Sequence, residues 1–74
     1  MSRIPVLSGK ELVRAYERLG YLLDHQTGSH MILRHIQPPH RRLTIPNHKE
    51  LAKGTLRAII RESGLTVDEL LKVI

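Results

Sequence analysis

The chain contains no cysteine, no tryptophan and no phenylalanine, and its only aromatic rings besides histidine are Tyr16 and Tyr21. Without cysteine, neither a disulfide framework nor a Cys-based zinc site can brace the fold. Two tyrosines are too few for a ladder of rings on which single-stranded bases stack. Long apolar stretches are also missing: runs such as Tyr21 to Leu23 and Ala58 to Ile60 stop after three residues. A membrane-crossing helix needs about 20. A secretory h-region needs about 7–15. The expected compartment is therefore cytoplasmic, with no membrane partner. At 74 residues the chain is expected to form one domain over 1–74. A domain of this size buries only about 60% of its unfolded surface, so its core has little margin.

Acid is scarce in one place. Between His25 and Arg61 stand seven basic residues (Arg34, Arg41, Arg42, Lys49, Lys53, Arg57, Arg61) and one acid, Glu50, a net +6; the remainder has five basic and six acidic residues, a net −1. All five histidines (25, 30, 35, 40 and 48) lie in the same basic stretch. A one-sided basic segment in a small protein points to an anionic partner, and nucleic acid is the commonest. A solvated basic face with no partner would account for the same charge.

The 41% hydrophobic content falls into patterned segments. Ser8-Gly9-Lys10-Glu11 is a capping box, and Leu12, Ala15, Tyr16 and Leu19 follow on one helical face. Ile4 to Leu7 leads in as a hydrophobic staple, and Gly20 is the expected stop. Tyr21 to Gln26 reads as a strand, Thr27-Gly28 as a tight turn, and Ser29 to Ile36 as a second strand. In that second strand Met31 and Leu33 face one side, and His30, Ile32 and Arg34 the other. Gln37 to Arg42 reads as an exposed loop. Leu43-Thr44-Ile45 is a short third strand ended by Pro46. A helix beginning near Lys53 to Thr55 places Leu56, Ile59 and Ile60 inward and stops at Gly64. Thr66-Val67-Asp68-Glu69 is a second capping box, opening a short helix with Val67, Leu70, Leu71 and Ile74 inward. The expected fold is α+β, in the order α-β-β-β-α-α. It is a three-stranded antiparallel meander with helices on one face.

Two groups could carry chemistry. His30 follows the turn at Gly28 and Ser29, where rigid backbone can hold an accessible imidazole whose ordinary pKa, near 6.5, suits proton transfer. A packed or surface histidine without chemistry fits the same position. The second group runs from Pro46 to Arg57 and includes His48, Lys49, Lys53, Gly54, Thr55 and Arg57. Here lysines lead into a helix N-terminus whose free N–H groups favour anions. The histidines recur at five-residue intervals between 25 and 40, which alternates faces along strands and does not converge on a metal. No H-E-x-x-H run occurs, so neither metal nor cofactor is expected.

Taken in order, Leu7-Ser8-Gly9-Lys10-Glu11, Leu19-Gly20-Tyr21, Gly28-Ser29-His30, Ile45-Pro46 with His48, Lys53-Gly54-Thr55-Leu56, Ile59-Ile60 and Gly64-Leu65-Thr66 resemble the HicA, or YcfA-like, family of toxin mRNA interferases. The resemblance runs nearly end to end. It implies a fold like that of a double-stranded-RNA-binding domain and an endoribonuclease that cleaves mRNA and arrests translation and growth. It also implies a partner, a HicB-type antitoxin, through whose complex alone DNA would be contacted. The family's catalytic histidine sits in the glycine-serine-histidine motif, here His30. Arg34, Arg41, Arg42, His48, Lys49, Lys53, Thr55 and Arg57 are then the candidate RNA contacts. A non-catalytic RNA-binding module of the same fold is the alternative.

Overall fold

The computed structural model describes residues 3–74. Its elements are α1 (Gly9–Glu17), β1 (Tyr21–Thr27), β2 (His30–His35), β3 (Arg42–Pro46), α2 (Lys53–Ser63) and α3 (Val67–Leu71). The strands form one antiparallel sheet in the order β1-β2-β3, with β2 central. This is the expected α+β arrangement, a meander with helices packed on one face, as in double-stranded-RNA-binding domains.

The capping residues fix both short ends as expected. Ser8 accepts from the Glu11 N–H at 3.1 Å, and the Glu11 carboxylate accepts from the Ser8 N–H at 2.9 Å. Thr66 and Glu69 repeat the reciprocal pair at the start of α3. Each satisfies backbone donors that a helix start leaves without an intrahelical partner. Gly64 closes α2 in the left-handed region, at φ 76°. The first helix stops at Glu17, earlier than its apolar pattern suggests, and Gly20, at φ 98°, turns the chain into β1.

The core lies between the inner sheet face and the helices. Met31, Leu33, Leu43 and Ile45 meet Leu12, Val13, Ala15 and Tyr16 of α1 and Leu56, Ile59 and Ile60 of α2. Tyr16 is fully buried, and its hydroxyl donates to Ser63 Oγ at 2.9 Å while Ser63 donates to the Ile60 carbonyl at 2.7 Å. Both buried hydroxyls are thus satisfied, as burial demands. Val13 packs inward although the helical pattern did not assign it. Ile74, expected inside, is 52% exposed, because α3 ends at Leu71 and Leu70 carries its burial.

Gly9 has a packing role that a capping motif does not reveal. A Cβ there would run into the carbonyl oxygen of Pro46 and lie 3.1 Å from Met31 Cε. The first turn of α1 therefore rests directly on the end of β3. Backbone bonds from Gly9 N–H to His48 O (2.9 Å), Leu51 N–H to Leu7 O (2.8 Å) and Asn47 N–H to Ser29 O (2.6 Å) stitch residues 47–51 to three neighbours. Among the described residues, no helix is long and apolar enough to cross a membrane.

Candidate functional site

Sheet register decides which candidate residues meet. Thr27 pairs with His30, so the hairpin loop is the two residues Gly28 and Ser29, one position later than the expected Thr27-Gly28 turn. Gly28 takes φ 53°, which a tight two-residue hairpin requires and an L side chain resists. His30 opens the central strand, with Thr27 opposite it on β1 and Pro46 opposite it on β3. Its backbone is held from both sides while its side chain is exposed.

Residues directly opposite in a sheet share a face. The outer face, which no helix covers, therefore has three rows. Thr27, His30 and Pro46 form the first, His25, Ile32 and Thr44 the second, and Leu22, Arg34 and Arg42 the third. His30 and Arg34 share this face as expected, four residues and about 13 Å apart along the strand. Arg42 lies opposite Arg34, a juxtaposition that strand alternation alone did not supply. A bulge at Asp24 interrupts β1 between Leu23 and His25. It brings an acid to this corner: His25 Nδ1 and Asp24 Oδ2 are 2.7 Å apart. That hydrogen bond, then the charges of His25, Arg42 and Arg34, hold the Asp24 carboxyl below its ordinary range.

The other candidates lie elsewhere. Ala52 is the N-cap of α2 and offers no side-chain oxygen. Lys53, Gly54 and Thr55 form an exposed first turn with uncapped N–H groups, and Arg57 follows one turn on. Thr55 is thus inside the helix rather than capping it. A Cβ on Gly54 would meet nothing within 4 Å, so backbone there is open to close approach. His48 and Lys49 line a shallow hollow with Ser8, Lys10 and Asn47 beside the start of α1. Arg41 is separated from all of these. Its Nη1 donates to the Glu62 carbonyl at 2.6 Å, at the far end of α2. There a cation offsets the negative end of the helix dipole.

The remaining histidines hold loops. His35 stands edge-on to Tyr21, with ring centroids 4.8 Å apart. Its Nδ1 accepts from the Gln37 N–H at 3.0 Å, so its Nε2 donates to the Leu19 carbonyl at 3.1 Å. His40, at φ 58°, donates from Nδ1 to the His35 carbonyl at 3.1 Å. Among the described residues, no three His, Cys, Asp or Glu groups gather as metal ligands.

The arrangement offers an accessible imidazole on rigid backbone, an arginine pair on the same face, and a separate basic helix start. Comparison with curated proteins finds no match. A family model described as the HicA toxin of bacterial toxin–antitoxin systems matches residues 9–65, which spans α1 to the end of α2 and takes in His30, both arginines and the Lys53 turn. The chain belongs to this family of HicA toxins.

Proposed function

We propose that this toxin is a metal-independent endoribonuclease that cleaves mRNA, with His30 as its general acid–base group, and that a HicB-type antitoxin neutralises it. The observation that carries the reading is His30 itself, exposed at the head of the central strand with its backbone held on both sides. Residues 1–74 act as one domain, working on mRNA in the cytoplasm and meeting DNA only through the antitoxin complex.

RNA supplies its own nucleophile. His30 takes the proton from a ribose 2′-OH, and the 2′ oxygen bonds to the adjacent phosphorus. The P–O5′ bond breaks, and the leaving 5′ oxygen takes a proton from solvent. The products are a 2′,3′-cyclic phosphate and a 5′-OH end. A general base of this kind contributes about 10²–10⁴-fold. The uncapped first turn of α2, with Lys53 and Thr55, supports phosphate binding through oriented N–H groups. Lys49 and Arg57 add further cations, and His48 a further hydrogen-bonding group.

The test is RNA cleavage by the purified chain in EDTA, beside His30→Ala matched for folding by circular dichroism. Wild type should cut and leave a cyclic phosphate, and the variant should lose about 10²-fold or more. Equal cutting by both would remove His30 from the chemistry. Binding without cutting by either would reduce the protein to an RNA-binding module. Cleavage that vanishes in EDTA and returns with magnesium would overturn metal independence.

A further inference from the structure

The corner of the outer face at Arg34 and Arg42 is costly as it stands. Arginines directly opposite in neighbouring strands repel, and like-charge cross-strand pairs destabilise a sheet. Both are exposed, and among the described residues neither guanidinium takes part in an ion pair or hydrogen bond. Asp24, at the bulge in the same corner, is already bonded to His25. The two arginines thus stand side by side on one row of the outer face, next to the Asp24 bulge. Local conflict of this kind, left uncompensated by the fold, is what a binding site imposes.

We propose that Arg34 and Arg42 form a two-guanidinium clamp that holds one phosphate of the RNA strand cut at His30. This rests on the RNA reading above and adds a subsite to it. Directly opposite Cα atoms lie about 4.5–5.5 Å apart. Two forks can thus approach one phosphate from either side, each donating two parallel N–H bonds. The row between clamp and histidine carries His25, Ile32 and Thr44, none with a permanent charge, and Ile32 is half-buried. Nothing there competes for the backbone. The 13 Å or so from Arg34 to His30 along β2 corresponds to about four nucleotides at a stacked rise of 3.4 Å. The clamp therefore grips the strand away from the scissile bond and sets its direction across the sheet.

The experiment is the binding of a fluorescent 2′-O-methyl RNA 12-mer, which cannot be cut, measured by anisotropy between 50 and 200 mM salt. Wild type, Arg34→Gln, Arg42→Gln, the double variant and Lys72→Gln as a net-charge control are compared at matched folding. One phosphate contact on a single strand contributes about 0.7 to the slope of log K against log salt. Each single variant should weaken binding about fivefold and keep most of the slope, because the second arginine still holds the phosphate. The double variant should lose a slope of about 0.7. A loss of about 1.4, split evenly between the singles, would assign two separate phosphates and overturn the clamp. Unchanged RNA affinity with weakened binding of poly-glutamate would assign the pair to an acidic protein and overturn it too. If wild type binds no RNA, the clamp and the ribonuclease reading fall together. If wild type cuts natural RNA while the variants bind like wild type, only the clamp falls.

Discussion

Replacing Gly9 by alanine should destabilise the protein, although alanine is the better helix former. A Cβ at this position points into the Pro46 carbonyl oxygen, which is backbone and cannot rotate away, and crowds Met31 Cε. To make room, α1 must lift from the end of β3. Overpacking of this sort costs about 1–3 kcal/mol. The lift also stretches the Gly9 N–H bond to His48 O, worth about 1 kcal/mol when made. Against this stands a propensity gain of up to about 1 kcal/mol, smaller in a first turn than in a helix interior. The expected net loss is about 2 kcal/mol. For a domain of this size each kcal/mol moves Tm by about 4–8 °C. A thermal melt followed by circular dichroism should therefore show Tm lower by about 10 °C. Gly54→Ala is the internal control, since nothing lies within 4 Å of its added Cβ. It should gain up to about 1 kcal/mol from the same propensity term. One substitution at two helix starts should thus move Tm in opposite directions. A Gly9→Ala protein that melts at or above wild type would refute the packing argument.

Arg41→Gln should lower Tm by a few degrees through loss of a cation at the α2 C-terminus, about 0.3–1 kcal/mol, while the salt slope of RNA binding stays put. Tyr16→Phe removes the hydroxyl bonded to Ser63 and should cost about 1 kcal/mol in a urea melt at pH 7. Burial raises the Tyr16 pKa, partly countered by Ser63, so its stabilising effect is complete below the ordinary value of 10.0 and lost as pH rises through the folded value. Tyr16→Phe should accordingly melt with a weaker alkaline dependence than wild type. Glu11 and Glu69 have the opposite sign. The Ser8 and Thr66 backbone bonds lower their pKa values, so their contribution is present above the ordinary value of 4.5 and is lost as pH falls through the folded values. Glu11→Gln with Glu69→Gln should flatten the acid limb of a Tm–pH curve; an unchanged limb would mean that the capping carboxylates do not titrate with folding.

Local signals carried most of the architecture. Both capping boxes, the Gly64 stop, the alternation of Met31 and Leu33 and the order of elements follow from residues that act within a few positions of one another. What escaped depends on register or on distant packing. The placement of the hairpin loop at Gly28-Ser29 shifted by one residue, because Thr27 pairs with His30 rather than turning. The bulge at Asp24 leaves no mark in the β1 hydrophobic pattern, since that edge strand is exposed beyond Tyr21. The candidate site divided in the same way. The placement of His30, exposed at the head of β2, was legible from the turn before it and from strand alternation. Charge counting grouped Arg41 with Arg42, yet adjacent residues at a strand entrance diverge, and Arg41 goes to the end of α2. The contact between Gly9 and Pro46 joins residues too far apart in sequence for any local pattern to report.

The segment between β3 and α2 is tied by its backbone to the start of α1 and to the hairpin loop that precedes His30. Loops that bind ligands often gain order only on contact, and that ordering weakens the complex. Here the stitching at Gly9, Leu51 and Asn47 places the ordering cost in folding itself. His48 and Lys49 are presented on a shelf set before any partner arrives, and α2 begins from a fixed anchor. The outline around His48 and Lys49 is thus set by the same backbone bonds that join the two ends of the fold.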